Sequence, residues 1–113
     1  MPLIVLSWYT KELLNKHPDY LFVFGDNAVR KGTGGQARAC RDQPNTVGII
    51  TKRAPSYEAK DFFYEKDFEE WKKLSAPDFK KVRYALAYNG TVVWPEDGVG
   101  TGRANLKENA PSI

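Results

Sequence analysis

The chain is 113 residues long and carries 17 Lys and Arg against 14 Asp and Glu, a formal net charge of +3, with one cysteine and one histidine. That length supports one domain with a real core. A single cysteine excludes a disulfide framework and a cysteine zinc site, and no apolar run approaches the roughly 20 residues needed to cross a bilayer. A pI near 9.0 suits an anionic ligand and also loose contact with nucleic acid.

The single cysteine makes a reducing cytoplasm the expected setting, and the first ten residues lack the basic start of a secretory signal. Residues 3–8 form a short apolar run containing Ile4 and Val5, the pattern of a buried strand. Thr10 is placed to cap a helix running to Lys16, which Pro18 prevents from continuing. Residues 20–24 read as a second strand that stops at Gly25-Asp26-Asn27, all turn-favouring types. Strand, helix, strand implies a parallel pair with a right-handed crossover. His17, at the helix end, fits a partner for the helix dipole better than a catalyst.

Next comes a glycine loop, Gly32-Thr33-Gly34-Gly35, and a helix predicted from Gly35 or Gln36 to about Arg41. A strand, a glycine loop and a helix N-terminus in that order leave backbone N–H groups free for an anion. Gly32 to Ala37 also fits G-x-G-x-x-A, but it follows the strand at a distance and has no acidic partner on a second strand, so phosphate binding is expected rather than a nicotinamide cofactor. Cys40 falls on the inner face of that helix, remote in sequence from the histidine, and is not expected to be a nucleophile.

Residues 46–51 form the next strand, rich in β-branched residues. Lys52 and Arg53 leave its carboxyl end, where ligands collect in open α/β sheets; a solvated basic turn is the plain alternative. Residues 60–74 predict a helix with Tyr64, Phe68, Trp71 and Leu74 as its core stripe, ended by Ala76-Pro77-Asp78. Asn89-Gly90 lies between two β-rich runs and predicts a two-residue hairpin, which makes the sheet mixed. A second glycine loop follows, with Gly98, Gly100, Thr101, Gly102 and Arg103 as a second anion site before a short helix ended by Pro111. Two such loops in one small domain favour a diphosphate over a single phosphate. Asp26 and Asp97 stand beside the two loops as candidate catalytic carboxylates, with Glu96 a weaker third. Each aspartate could equally bond nearby backbone N–H groups in a turn.

These residues resemble the macro domain family. The strand ending at Asn27, followed by Gly34-Gly35-Gln36-Ala37, is similar to that family's asparagine-ending strand, glycine loop and helix. The strand over residues 91–94 with GVGTG after it looks like its second phosphate loop. The chain resembles more closely a group of small macro-like proteins of bacteria and their phages. The resemblance implies a three-layer α/β/α domain over residues 1–113 with a central mixed sheet, and a cleft for ADP-ribose or a related nucleotide. It places Asn27 on the distal ribose, Gly34 and Gly35 against that ribose and the phosphates, and Gly100 to Gly102 on the diphosphate, with Gly32 and Gln36 of the same loop as further ligand-binding candidates. Hydrolysis of an ADP-ribosyl bond is the activity it would allow; the alternative is a non-enzymatic accessory module that sequesters a nucleotide signal or binds a host protein or nucleic acid. Neither cofactor nor metal is expected, nor contact with a membrane. Binding of nucleic acid by stacking ranks lower, because most aromatic residues fall on core-like faces.

Overall fold

A computed structural model describes residues 3–32, 34–55, 58–88, 90–96 and 99. Its strands are β1 (Leu3–Leu6), β2 (Tyr20–Asn27), β3 (Thr46–Lys52) and β4 (Thr91–Pro95), and its helices are α1 (Lys11–Lys16), α2 (Ala37–Cys40) and α3 (Phe68–Ala87). Two short 3-10 turns, Ala59–Asp61 and Glu65–Asp67, lead into α3. The protein is a small α/β domain around a 4-stranded sheet of order β1-β4-β2-β3, and every strand pair in it is parallel.

In the first half α1 and β2 form as their residues dictate, but β1 is not the buried strand expected: it lies at the sheet edge with Leu3 and Val5 exposed. Thr10 caps α1 by accepting the Leu13 N–H at 3.1 Å. The Asn45 side-chain amide closes the other end, donating to the carbonyls of Leu14 at 3.0 Å and His17 at 3.1 Å. His17 stacks on Tyr20 with ring centroids 4.4 Å apart. β2 does not stop at Phe24. It continues through Gly25, Asp26 and Asn27, because pairing with β3 carries on to Asn27↔Lys52 after a register irregularity; tertiary pairing overrides the turn preference of those residues.

The second half departs from expectation. α3 begins at Phe68 rather than Lys60 and runs through Pro77 to Ala87, although a proline inside a helix costs about 3 kcal/mol. Ser75, Asp78 and Val82 are buried along it, with Phe79 and Ala85 packed on the core. That is helical spacing on both sides of Pro77, whereas Leu74 is 40% exposed and belongs to the outer surface. Gly90 acts as a helix stop, its N–H bonding to the Ala85 carbonyl at 2.7 Å. No hairpin forms across residues 88 and 90, and the expected mixed sheet is replaced by a parallel one among the described residues. β1 and β2 are not neighbours either: β4 lies between them.

Alternate residues of β2 serve opposite faces, as a pleated strand requires. Phe22 and Phe24 join Tyr9, Leu14, Ala37 and Cys40 in one cluster with α1 and α2. Val23 joins Val47, Ile49, Val92 and, from α3, Val82 in the other.

β3 is an edge strand, and its outward backbone groups are closed by side chains. Lys81 donates to Thr46 O at 2.9 Å, Arg30 to Gly48 O at 2.6 Å and the Trp71 indole to Ile50 O at 2.5 Å, while the Asp78 carboxylate accepts Ile50 N at 3.3 Å. These positions are two apart, the period at which an edge strand points its groups outward. Covering them blunts the edge against pairing with another chain.

Candidate functional site

In a parallel sheet all carboxyl ends lie along one edge, so the segments after Leu6, Asn27, Lys52 and Pro95 gather there. The neighbours β2 and β3 send their connections to opposite faces: α2 packs with Phe22 and Phe24, α3 with Val23 and Val47. In open α/β sheets ligands collect outside the strand ends at a reversal of this kind. The glycine loop and the segment after Lys52 come together at this reversal, where a Cβ added at Gly32 would lie 3.3 Å from Pro55 Cβ.

The loop after β2 is held in a left-handed shape. Arg30, Gly32 and Gly35 have φ of 60°, 99° and 57°, a region only glycine adopts without cost. Asn27 shapes its first turn by donating to Lys31 O at 2.6 Å while accepting Val29 N at 3.1 Å. Gln36 ties the loop to the segment after β1, accepting Tyr9 N at 2.9 Å and donating to Ser7 O at 3.3 Å. Gly34 and Gly35 are exposed, and a Cβ at Gly35 would meet nothing within 4 Å. The loop therefore presents open backbone toward solvent, while Asn27 and Gln36 face inward to hold it.

Asp26 lies beneath this loop with its side chain 2% exposed. Arg41 grips both carboxylate oxygens, at 2.8 and 2.7 Å. Arg30 approaches Oδ2 at 3.3 Å and binds Asp78 at 2.7 Å through its other nitrogen, and the Asn27 N–H donates to Oδ1 at 2.8 Å. Forked contacts of this kind are the strongest ion pairs available to a carboxylate. Burial pushes the Asp78 carboxyl up despite its Arg30 partner. Asp26 thus anchors the loop to α2 and, through Arg30, to α3, and its geometry is that of a turn and network residue rather than a base open to substrate.

Lys52 is buried with its ammonium 5.0 Å from the Phe62 ring. Arg53 forms a fork with Glu70 at 2.6 and 2.7 Å, approaches Asp67 at 3.4 Å and lies over the Phe63 ring. Both sit at the carboxyl end of β3 as expected, with Arg53 turned to the start of α3. Beside them is an open depression of about 600 Å³ lined by Arg53, Lys60, Phe62, Tyr64 and Asp67 among others. Glu96 is exposed just past β4, its N–H bonded to Leu6 O at 2.9 Å. Asp97, Gly98, Gly100, Thr101, Gly102 and Arg103 lie outside the described residues.

Pattern reading missed three participants: Arg41, Asp78 and Tyr9. Pairing between β2 and β4 ends at Phe22↔Val93, and beyond it the buried Tyr9 hydroxyl spans the strands, 2.8 Å from Val23 O and 3.2 Å from Val93 O. Burial pushes its phenol up, and it pushes the Cys40 thiol up to about 12, so at neutral pH Cys40 is a protonated core residue. An aspartate inside an apolar strand needs a cation, which was the available signal for Arg41.

Residues 4–113 match the model of a family of unknown function, DUF7831. The chain belongs to DUF7831. No curated protein and no solved structure matches this DUF7831 chain. The matched span contains the glycine loop, the Asp26 network and the carboxyl ends of β2 and β3. Among the described residues no group of His, Cys, Asp and Glu could hold a metal, and no helix is long and apolar enough to cross a membrane.

Proposed function

We propose that this protein binds a diphosphate nucleotide, ADP-ribose or a close relative, in the crevice at the carboxyl ends of β2 and β3. The observation that carries the reading is the exposed glycine loop at that point, with Gly35 at φ 57° and open space before it. Left-handed residues in such a loop can bring successive backbone N–H groups into a concavity suited to phosphate oxygens. The fold implied is the three-layer, macro-like arrangement, with α1 and α2 over one face of the sheet and α3 over the other. In this reading Gly32, Gly34 and Gly35 approach one phosphate, and the glycine-rich sequence from Gly98 to Arg103 is the candidate for the site of the second.

Binding without turnover is the form we favour. Asp26 is held by Arg41 and Arg30, so Asn27, Asp26 and Gln36 shape the loop instead of touching the ribose. Hydrolysis of an ADP-ribosyl bond would then fall to Asp97. The accessory-module alternative draws on the same geometry, since a sequestering protein needs the cradle and no base.

A thermal-shift panel of ADP-ribose, ADP, AMP, nicotinamide dinucleotide and inorganic phosphate tests the reading. ADP-ribose at about 100 times its dissociation constant should add roughly 2.7 kcal/mol of stability, with AMP and phosphate well behind. Release of ADP-ribose from modified protein or nucleic acid would restore the hydrolase reading.

A further inference from the structure

The outer face of α3 carries a charge pattern that its role in the core does not explain. From Lys72 onward its exposed positions include Lys72, Lys73, Lys80, Lys81 and Arg83, while the acid in that stretch, Asp78, is buried and paired with Arg30. None of the ion pairs among the described residues gives these cations a carboxylate. The helix dipole accounts for Glu69 and Glu70 in the first turn, but the last turn has no basic residue, so the dipole does not set where the cations fall. Among them stand two bare aromatic rings. Tyr84 is 65% exposed and Tyr88 71%, with their centroids 4.5 Å apart.

Lys73, Lys80, Tyr84 and Tyr88 are spaced seven, four and four residues apart, which lines them along one stripe about 22 Å long. Because α3 leads from the carboxyl end of β3 to the amino end of β4, the tyrosines lie toward the sheet edge opposite the glycine loop. The surface is therefore independent of the crevice.

We infer that this face of α3 docks single-stranded nucleic acid, with bases stacking on Tyr84 and Tyr88 and phosphates against Lys73, Lys80 and Arg83. A cationic stripe complements a phosphate backbone, and unstacked bases are the polyanion component with a flat apolar face to set on an exposed ring. A duplex hides those faces, and an acidic peptide would use the cations but leave the rings bare.

Fluorescence anisotropy with a labelled oligothymidine of roughly 16 nucleotides tests this. The intact protein should bind at low salt and prefer the single strand to a duplex of equal length. Tyr84→Gln with Tyr88→Gln should weaken binding roughly tenfold or more while leaving the salt dependence unchanged. Lys73→Gln, Lys80→Gln and Arg83→Gln together should flatten the slope of log affinity against log salt by about 2. All five side chains are exposed and glutamine suits a helix, so melting curves should confirm that both variants fold. Absence of oligothymidine binding, unchanged affinity in the tyrosine variant, an unchanged slope in the charge variant, or equal preference for duplex or polyglutamate would each overturn the inference.

Discussion

Asp26 sits on β2 with both oxygens facing guanidinium groups, and its substitution separates a structural role from a catalytic one. Asp26→Asn would leave Arg41 and Arg30 without their shared carboxylate, and loss of one partner from a buried pair costs about 3 kcal/mol or more. Urea denaturation should record that loss; unchanged stability would return Asp26 to the list of bases. Gly48 reports on the same network, since a Cβ there would fall 2.6 Å from Asp26 Oδ2, and Gly48→Ala should cost about 1–3 kcal/mol by overpacking. Cys40 predicts a pH effect. Its folded thiol keeps a proton up to about 12 against an ordinary value of 9.0, so between those values the folded state binds more protons than the unfolded one. Stability should therefore fall as pH rises through that window. Tyr9 acts in the same direction, and Cys40→Ala should make the decline shallower without abolishing it. A decline of equal steepness in the variant would contradict this.

At the scale of elements, the strands could be read in advance because apolar β-branched runs pack between helices wherever they fall: residues 20–24 and 46–51 were both placed. α1 was legible too, since Thr10 and Pro18 act locally. What failed was any reading that needed to know the partner. Asn-Gly signals both a tight hairpin turn and a helix stop, and only the Gly90 bond to Ala85 decides between them. Val82, Tyr84 and Leu86 alternate like a strand, yet burial follows Phe79, Val82 and Ala85, the helical period. Of the site, the glycine loop was visible in sequence, while the arginines beneath it were not, because Arg41 meets Asp26 across 15 residues. The closed edge of β3 gives a prediction at this scale. Trp71→Phe keeps an aromatic ring but removes the donor to Ile50 O together with the indole's second ring, which should cost about 1 kcal/mol or more and raise the tendency to aggregate near the melting point. Light scattering during a thermal ramp would check it.

For the whole molecule, the parallel sheet puts the carboxyl ends of its strands on one edge, and β2 and β3 send their connections to opposite faces beside the glycine loop. Conformation and chemistry can be separated at Gly35. Its φ of 57° is left-handed and its surroundings are open, so asparagine, which tolerates that region, should fold there with little loss while placing a side chain in the phosphate's path. The most direct measurement is calorimetric titration of ADP-ribose into the wild-type protein and into Gly35→Asn, with melting curves to confirm both folds. Saturable one-to-one binding by the wild type, abolished in a folded Gly35→Asn, is the predicted result; no heat from ADP-ribose in the wild type, or equal affinity in both proteins, would contradict a backbone phosphate site at this crevice.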